Sequence, residues 1–135
     1  MKIKKQAVVK QVLTPSYREK LNEELETKRR RLQTEIEQLE FQLQQRIKEN
    51  SDPKRRRFLK EKYEKEMKER KEKIERSSFQ ASRIEALPDD TELPVDRVDV
   101  EAHVEVGDVW DDVYQEDEII VEDGRVKAIR KRGET

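Results

Sequence analysis

Apolar residues recur through the first half of the chain at the spacing of an amphipathic helix. Between residues 16 and 50, six of them are separated alternately by four and seven positions, and no glycine or proline interrupts the run. This eleven-residue repeat corresponds to about 3.67 residues per turn, which keeps the apolar seam on one face of a nearly straight helix. The seam consists of Leu21, Leu25, Leu32, Ile36, Leu43 and Ile47.

A second helix is predicted from about residue 53 to residue 87. Ser51 or Asp52 can cap its first turn, where Pro53 is tolerated, and Pro88 ends it. Because the link between the two helices is short, they are expected to pack as an antiparallel hairpin. The predicted facing pairs are Leu21 with Ile84, Leu32 with Ile74, Ile36 with Met67 and Leu43 with Tyr63.

Period-two patterns predict strands at both ends of the chain. Residues 3–13 are rich in β-formers, and residues 98–106 alternate apolar with mostly acidic side chains. The Asp123-Gly124 pair predicts a type I′ turn between two further strands. In that register Val121 faces Val126 and Ile119 faces Ala128.

The three C-terminal strands would be only marginally stable alone, so the N-terminal strand is expected to join them. Its Lys4, Lys5 and Lys10 would then lie against acidic strands. The predicted fold is α+β, with a long antiparallel helical hairpin (a coiled coil, residues 15–88) inserted between an N-terminal strand (residues 1–14) and a small acidic C-terminal antiparallel β-domain (residues 89–135). Trp110 and Tyr114 are interpreted as core anchors of that domain.

Composition agrees with long exposed helices, because 47% of the residues are charged and only 32% are hydrophobic. A compact globule would have about half of its residues apolar. The charges are also segregated. Residues 53–76 carry twelve Lys/Arg against six Glu, residues 89–123 carry fifteen Asp/Glu against one Arg, and residues 125–132 are basic again. Such segregation indicates either self-association between unlike regions or a charged partner.

Several classes of site are excluded or disfavoured by what the sequence lacks. There is no cysteine, one histidine (His103) and only three glycines, so no thiolate site, histidine-rich metal site or glycine-rich nucleotide loop can be assembled. No apolar run approaches the ~20 residues of a membrane span, and residues 1–13 lack a secretory signal. We therefore expect a cytoplasmic protein that is not an enzyme, needs no cofactor and does not bind membranes.

Short segments near the two ends resemble the YlqD family. They are residues 7–14 (AVVKQVLT), 104–111 (VEVGDVWD) and 119–126 (IIVEDGRV). With the Leu/Gln/Glu/Lys-rich middle, the resemblance covers essentially the whole chain. It brings no assigned activity and therefore no functional residues. Genes of similar proteins tend to lie among genes for RNA-binding, ribosome-maturation and tRNA-modifying proteins, so the resemblance implies a link to translation.

Two basic clusters are the candidate binding sites for RNA or another partner: Lys54, Arg55, Arg56 and Arg57 at the hairpin tip, and Arg29, Arg30 and Arg31 within the first helix. Clustered cations suit phosphate binding, although a solvated helix face with intrahelical ion pairs is the favoured explanation. No aromatic stacking platform is interleaved with these clusters, which argues against the binding of single-stranded RNA. The acidic residues from 108 to 118 could hold a divalent cation or dock a basic partner.

Two functions remain open from the sequence. The first is a non-enzymatic interaction or scaffold protein that forms a homo-oligomer and docks protein partners through the charged hairpin and the acidic β-domain. The alternative is an RNA- or ribosome-associated factor that contacts RNA through the basic clusters.

Overall fold

The computed structural model describes residues 1–131 and contains two long helices, four strands and one short helix. The chain divides into a β-domain, formed by Met1–Arg18 and the chain from Leu87 onward, and a helical hairpin, formed by Glu19–Ala86. In chain order the elements are β1 (Lys2–Val12), α1 (Pro15–Glu49), α2 (Pro53–Ala86), β2 (Glu92–His103), α3 (Trp110–Tyr114), β3 (Asp117–Glu122) and β4 (Arg125–Lys131).

The four strands form one sheet in the order β2-β1-β3-β4. The predicted α+β class is confirmed, and the N-terminal strand lies inside the sheet. The expected antiparallel arrangement holds for β1–β2 and β3–β4 and is wrong for β1–β3, which is parallel. The reason is that β2 ends beside the start of β1. A strand that follows on the free side of β1 must therefore run in the direction of β1.

The β3–β4 connection has the predicted turn with a shifted register. Asp123 and Gly124 have φ angles of 48° and 82°, which are the positive values that a type I′ turn requires. Val121 faces Val126 as expected, whereas Ile119 faces Ile129 instead of Ala128. A bulge between Ile120 and Val121 causes this difference, because one extra residue on β4 advances the remaining pairs by one position.

A buried carboxylate ties three strands of the sheet together. Glu118 on β3 is only 4% exposed and accepts hydrogen bonds from Lys10 Nζ at 2.8 Å and Arg130 Nε at 3.0 Å. Arg130 also pairs with Glu92 on β2. The hydrogen bond from Lys10, followed by that from Arg130, lowers the pKa of Glu118 despite its burial. With the Lys5–Asp117 pair at 3.3 Å, the predicted contact of β1 lysines with acidic strands is confirmed for Lys5 and Lys10.

The chain leaves β1 and returns to β2 at the same place. The backbone N–H of Leu13 donates to the Thr91 carbonyl at 2.8 Å, and the N–H of Asp90 donates to the Leu13 carbonyl at 3.0 Å. Arg18 Nη2 donates to the Leu87 carbonyl at 2.8 Å. The two ends of the inserted segment are therefore fixed side by side.

Both long helices have side-chain caps, and the cap of α2 is one of the two residues predicted for it. Thr14 Oγ1 accepts a hydrogen bond from the Tyr17 N–H at 3.2 Å, and Asp52 Oδ1 accepts one from the Lys54 N–H at 3.1 Å. The Thr14 hydroxyl also donates to Asp123 Oδ1 at 2.7 Å. This last bond links the start of α1 to the β3–β4 turn within the β-domain.

The hairpin buries part of the predicted seam and one residue outside it. Buried leucine and isoleucine side chains come from the expected positions of both helices: Leu32, Ile36, Leu43 and Leu59. Ser77 is 1% exposed, and its hydroxyl donates to the Leu25 carbonyl at 3.3 Å. Arg70 Nε donates to Glu35 Oε2 at 3.1 Å across the interface. These contacts fit the antiparallel register that the seam predicts.

Candidate functional site

The predicted basic cluster at the hairpin tip is fully exposed in the first turn of α2. It consists of Lys54, Arg55, Arg56 and Arg57. Arg56 Nε donates to the Asn50 carbonyl, so this guanidinium closes the connection between the helices. The tip therefore presents clustered positive charge, and one of its four cations also has a structural role.

An exposed aromatic ring adjoins the tip cluster. Phe58 is 54% exposed, and the Arg55 guanidinium carbon lies 5.4 Å from its ring centre. The expectation that no aromatic residue accompanies the basic clusters is therefore wrong. Phe58 directly follows Arg57 in the sequence and lies off the apolar seam, so its exposure agrees with the spacing of apolar residues.

The predicted cluster Arg29–Arg31 is divided among three directions, because consecutive residues are about 100° apart around a helix. Arg29 is half-buried and donates to the carbonyl and hydroxyl oxygens of Ser77, both at 3.3 Å. Arg30 pairs with Glu26 at 2.7 Å on the exposed side of α1. Only Arg31 points into a groove between the helices. The three arginines therefore do not form one site.

The groove that contains Arg31 runs along one side of the hairpin and has a volume of about 480 Å³. We call it the hairpin groove. Five cations from both helices line it against two carboxylates, Glu35 and Glu69, and Glu35 is paired with Arg70. The groove is therefore basic. Its cationic residues are Lys28, Arg31, Arg70, Lys73 and Arg76.

A second depression, of about 520 Å³, adjoins the hairpin groove on α2. Phe79 lies in it and is 65% exposed, and the Arg83 guanidinium carbon is 6.0 Å from the Phe79 ring centre. Arg76 and Gln80 line both depressions. An exposed aromatic ring is thus continuous with a basic groove. The sequence pattern did not predict this arrangement, although helical spacing of three or four residues places Phe79 beside Arg76 and Arg83.

The β-domain exposes one apolar face of its sheet, which we call the apolar sheet face. The strand pairings align Val98 of β2, Ile119 and Val121 of β3, and Val126 and Ile129 of β4 on the same side. Ile129 is 71% exposed, Val126 is 61% exposed and Val98 is 37% exposed. The β4 side chains of this face are therefore open to solvent, whereas Ile119 and Val121 of β3 are half-buried.

Trp110 and Tyr114 do not anchor the core, so that interpretation was wrong. They lie on the short helix α3, and each is 55% exposed. Their rings stack on each other with centres 5.1 Å apart and planes 13° apart. The i, i+4 spacing on a helix explains this contact. Spacing as in a strand would have placed both residues on one face of the sheet.

Cations neutralise three of the six residues in the predicted acidic patch. Asp117 pairs with Lys5, Glu118 with Lys10 and Glu116 with Arg97. Within residues 1–131, no three His, Asp or Glu side chains come together in a way that could hold a metal ion. The other members of the patch are Asp108, Asp111 and Asp112, and all three are exposed.

No helix in residues 1–131 has the length and apolar character needed to cross a membrane.

Comparison with known proteins assigns the family. The model of the YlqD protein family matches residues 1–130. The chain belongs to the YlqD family. A curated relative in this family, named "Uncharacterized protein YlqD" from Bacillus subtilis (strain 168), is 34% identical over 132 residues, which cover 98% of this chain and all of that protein. The resemblance drawn from the end segments is therefore confirmed.

The solved structure of another protein has the same fold as this YlqD family member. It is the crystal structure of a protein of unknown function from Synechococcus sp. WH 8102, with a TM-score of 0.82 and 20% sequence identity. The similarity covers 97% of this chain and 96% of the other. At this level of identity the likeness concerns the fold alone.

Proposed function

We propose that this YlqD family member is a non-enzymatic interaction protein that docks a protein partner on the apolar sheet face of its β-domain. The supporting observation is the exposure of Ile129 and Val126, at 71% and 61%. Scattered exposed apolar residues are ordinary, but these two are continuous with Ile119 and Val121, their half-buried partners on β3, and such a patch is typical of an interaction site. Burying such side chains against a partner releases roughly 1.5–3 kcal/mol for each one.

Charge indicates the chemistry of that partner. The described part of the β-domain carries ten Lys/Arg against fifteen Asp/Glu. A partner surface that is apolar and flanked by Lys or Arg would be attracted to it, whereas a second acidic β-domain would be repelled. The partner that we propose is therefore a basic and apolar protein segment.

The sheet edges favour contact through the face over addition of a strand. On the β2 edge, Pro94 is adjacent to a bulge at Val95, where the register against β1 shifts. Proline and bulges both obstruct pairing with another strand. The β4 edge carries four cations, Arg125, Lys127, Arg130 and Lys131, which also discourage pairing.

Photo-crosslinking from the apolar sheet face tests this proposal. A photoreactive residue in place of Val126 should crosslink one protein in cells, and that protein should then bind the purified chain in calorimetry. Ile129→Asp should weaken this binding at least about tenfold, because it places a charge in an apolar contact. Val106→Asp is the matched control, since Val106 is a fully exposed valine in the loop after β2.

Two results would contradict the proposal. One is a crosslinked protein whose affinity is the same for the Ile129→Asp and Val106→Asp variants. The other is crosslinking of the chain only to a second copy of itself, which would make the apolar sheet face a homo-oligomer interface.

Self-association through the hairpin is a separate part of the proposal. Phe41 is 64% exposed and lies roughly 160° around α1 from the seam, so it faces away from α2. An exposed phenylalanine on an otherwise polar helix face would be covered by packing against another hairpin. The opposite charges of the two units would add attraction between copies.

Contact with RNA is the second candidate function, and the cations of the hairpin support it. Residues 53–76 carry twelve Lys/Arg against six Glu, and the cations of the tip are exposed. Clustered exposed cations bind phosphates with the release of counterions.

A further inference from the structure

We propose that the hairpin binds single-stranded nucleic acid, with phosphates in the hairpin groove and one base stacked on Phe79. This inference rests on the second candidate function and deepens it. It moves the binding site from the hairpin tip to the flank of the hairpin and specifies the form of the nucleic acid. It is independent of docking on the β-domain.

The hairpin groove supplies the phosphate contacts. Lys28 and Arg31 reach it from α1, and Lys73 and Arg76 reach it from α2. Each pair is separated by three residues, or about 4.5 Å along its helix, so both walls carry closely spaced charge. All four residues are exposed to solvent. A chain of phosphates lying in the groove would meet cations on both sides.

Phe79 supplies a surface on which a base can stack. The ring is 65% exposed and has Arg83 beside it at 6.0 Å. Stacking of a base on an exposed aromatic ring is favourable for every base, and a neighbouring guanidinium adds a cation–π contribution. Because Arg76 lines both depressions, a nucleotide with its phosphate near Arg76 would have its base within reach of Phe79.

The same geometry disfavours the two other ways of binding nucleic acid. In a duplex the base faces are covered by their neighbours, so Phe79 would contribute nothing. The tip has the Arg55–Phe58 contact, but its four cations come from one helix and Arg56 is bonded to Asn50. The flank combines cations from both helices with an aromatic ring, as sites for single strands do, and Glu72 and Glu75 also line the depression that contains Phe79.

Fluorescence anisotropy with labelled oligouridine of about 12 nucleotides tests the stacking contact at ~50 mM salt, a length and a salt concentration at which such binding is measurable. Phe79→Ala should weaken binding roughly tenfold, through loss of one stacked base. Phe41→Ala is the matched control, because Phe41 is 64% exposed and lies outside both depressions. Its affinity should equal that of the unchanged chain.

Charge reversals locate the phosphate contacts. The Lys73→Glu/Arg76→Glu double variant should abolish most of the binding, and the Arg55→Glu/Arg57→Glu variant should change it by less. Circular dichroism at 222 nm confirms that each variant keeps its helices. Duplex RNA of the same length should bind more weakly, with an affinity that Phe79→Ala does not alter.

The outcomes separate the inference from the function beneath it. If the chain binds RNA and only the tip variant Arg55→Glu/Arg57→Glu loses this binding, the proposed site on the flank is wrong, but the proposal of RNA contact stands. If Phe79→Ala and Phe41→Ala behave alike, stacking is refuted. If oligouridine and duplex RNA both fail to bind at ~50 mM salt, where phosphate contacts are strong, the inference and the second candidate function both fail.

Discussion

Glu118 offers a sharp test of how the β-domain is held together. Its carboxylate is almost completely buried and accepts hydrogen bonds from Lys10 and Arg130, so three strands converge on one negative charge. Glu118→Gln keeps the size and shape of the side chain and removes the charge. The substitution therefore isolates the contribution of the charge from that of packing.

The expected loss is about 2 kcal/mol. Hydrogen bonds to charged groups contribute about 1.5–3 kcal/mol each, and neutral ones about 0.5–1.5 kcal/mol. Replacing two hydrogen bonds to a charged group by two neutral ones costs roughly 1 kcal/mol for each bond. Lys10 and Arg130 are 25% and 26% exposed, so water compensates part of their loss and the lower end of the range applies.

The difference in the free energy of unfolding between the unchanged chain and Glu118→Gln should depend on pH. The pKa of Glu118 lies below 4.5 in the folded state, chiefly because of the hydrogen bond from Lys10. A carboxyl group with a lowered folded-state pKa stabilises the fold fully above its unfolded pKa and loses this effect as pH falls through the folded pKa. The two stability curves should therefore separate at pH 7 and converge below pH 4.5.

Urea unfolding followed by tryptophan fluorescence measures this difference, because Trp110 is the only tryptophan and lies in the β-domain. At about 1–2 kcal/mol per molar urea, the midpoint of Glu118→Gln should fall by roughly 1–2 M at pH 7. An equal midpoint at pH 7 would show that the buried charge contributes nothing. A loss that stays constant into acid would show that packing, and not charge, causes it.

Two further predictions concern the hairpin. Ser77→Leu should lower the free energy of unfolding of the hairpin by about 1–3 kcal/mol, because Ser77 is 1% exposed where the helices meet. Ser78→Leu, at the exposed neighbouring position, should have little effect. Equal effects of the two variants on thermal unfolding, followed by circular dichroism at 222 nm, would contradict the close contact. Light scattering of the unchanged chain should give a multiple of the 16.3 kDa chain mass, and Phe41→Asp should lower this mass. A monomer mass for the unchanged chain would refute self-association through the helix face that carries Phe41.

The helices were predictable because their signal is repeated. Leu32, Ile36 and Leu43 recur with one period, so an error at any single position would not move the seam. Ser77 was missed for the converse reason. A serine carries no apolar signal, and only the close approach of Leu25 and the bond from Arg29 make its position buried.

The β-domain was predictable strand by strand, but not in its pairing. Alternation locates residues 98–103 of β2, and Asp123-Gly124 locates the β3–β4 turn, since both are local properties. The parallel β1–β3 pair joins segments more than a hundred residues apart, and no local pattern specifies it. The bulge at Ile120 likewise leaves no signature in the alternation of apolar residues.

The candidate site was predicted in charge and only partly in geometry. Runs of arginine identify basic regions, yet a run on a helix points in several directions, as Arg29, Arg30 and Arg31 do. The hairpin groove instead draws single cations from two helices. The antiparallel register predicted from the seam already brings Lys28 and Arg31 near Arg70 and Lys73, and Phe79 lies off that seam. The depression that joins Phe79 to the groove required the coordinates.

The adjacent ends of the inserted segment have a consequence for the order of folding. Leu13 and Thr91 meet although almost eighty residues separate them along the chain. Closing a flexible loop of that length costs about 4 kcal/mol of entropy through its length-dependent part. Helical hairpins have local contacts and form quickly, so α1 and α2 can fold first and bring these ends together. β1 then meets β2 as though the two strands were joined by a short turn.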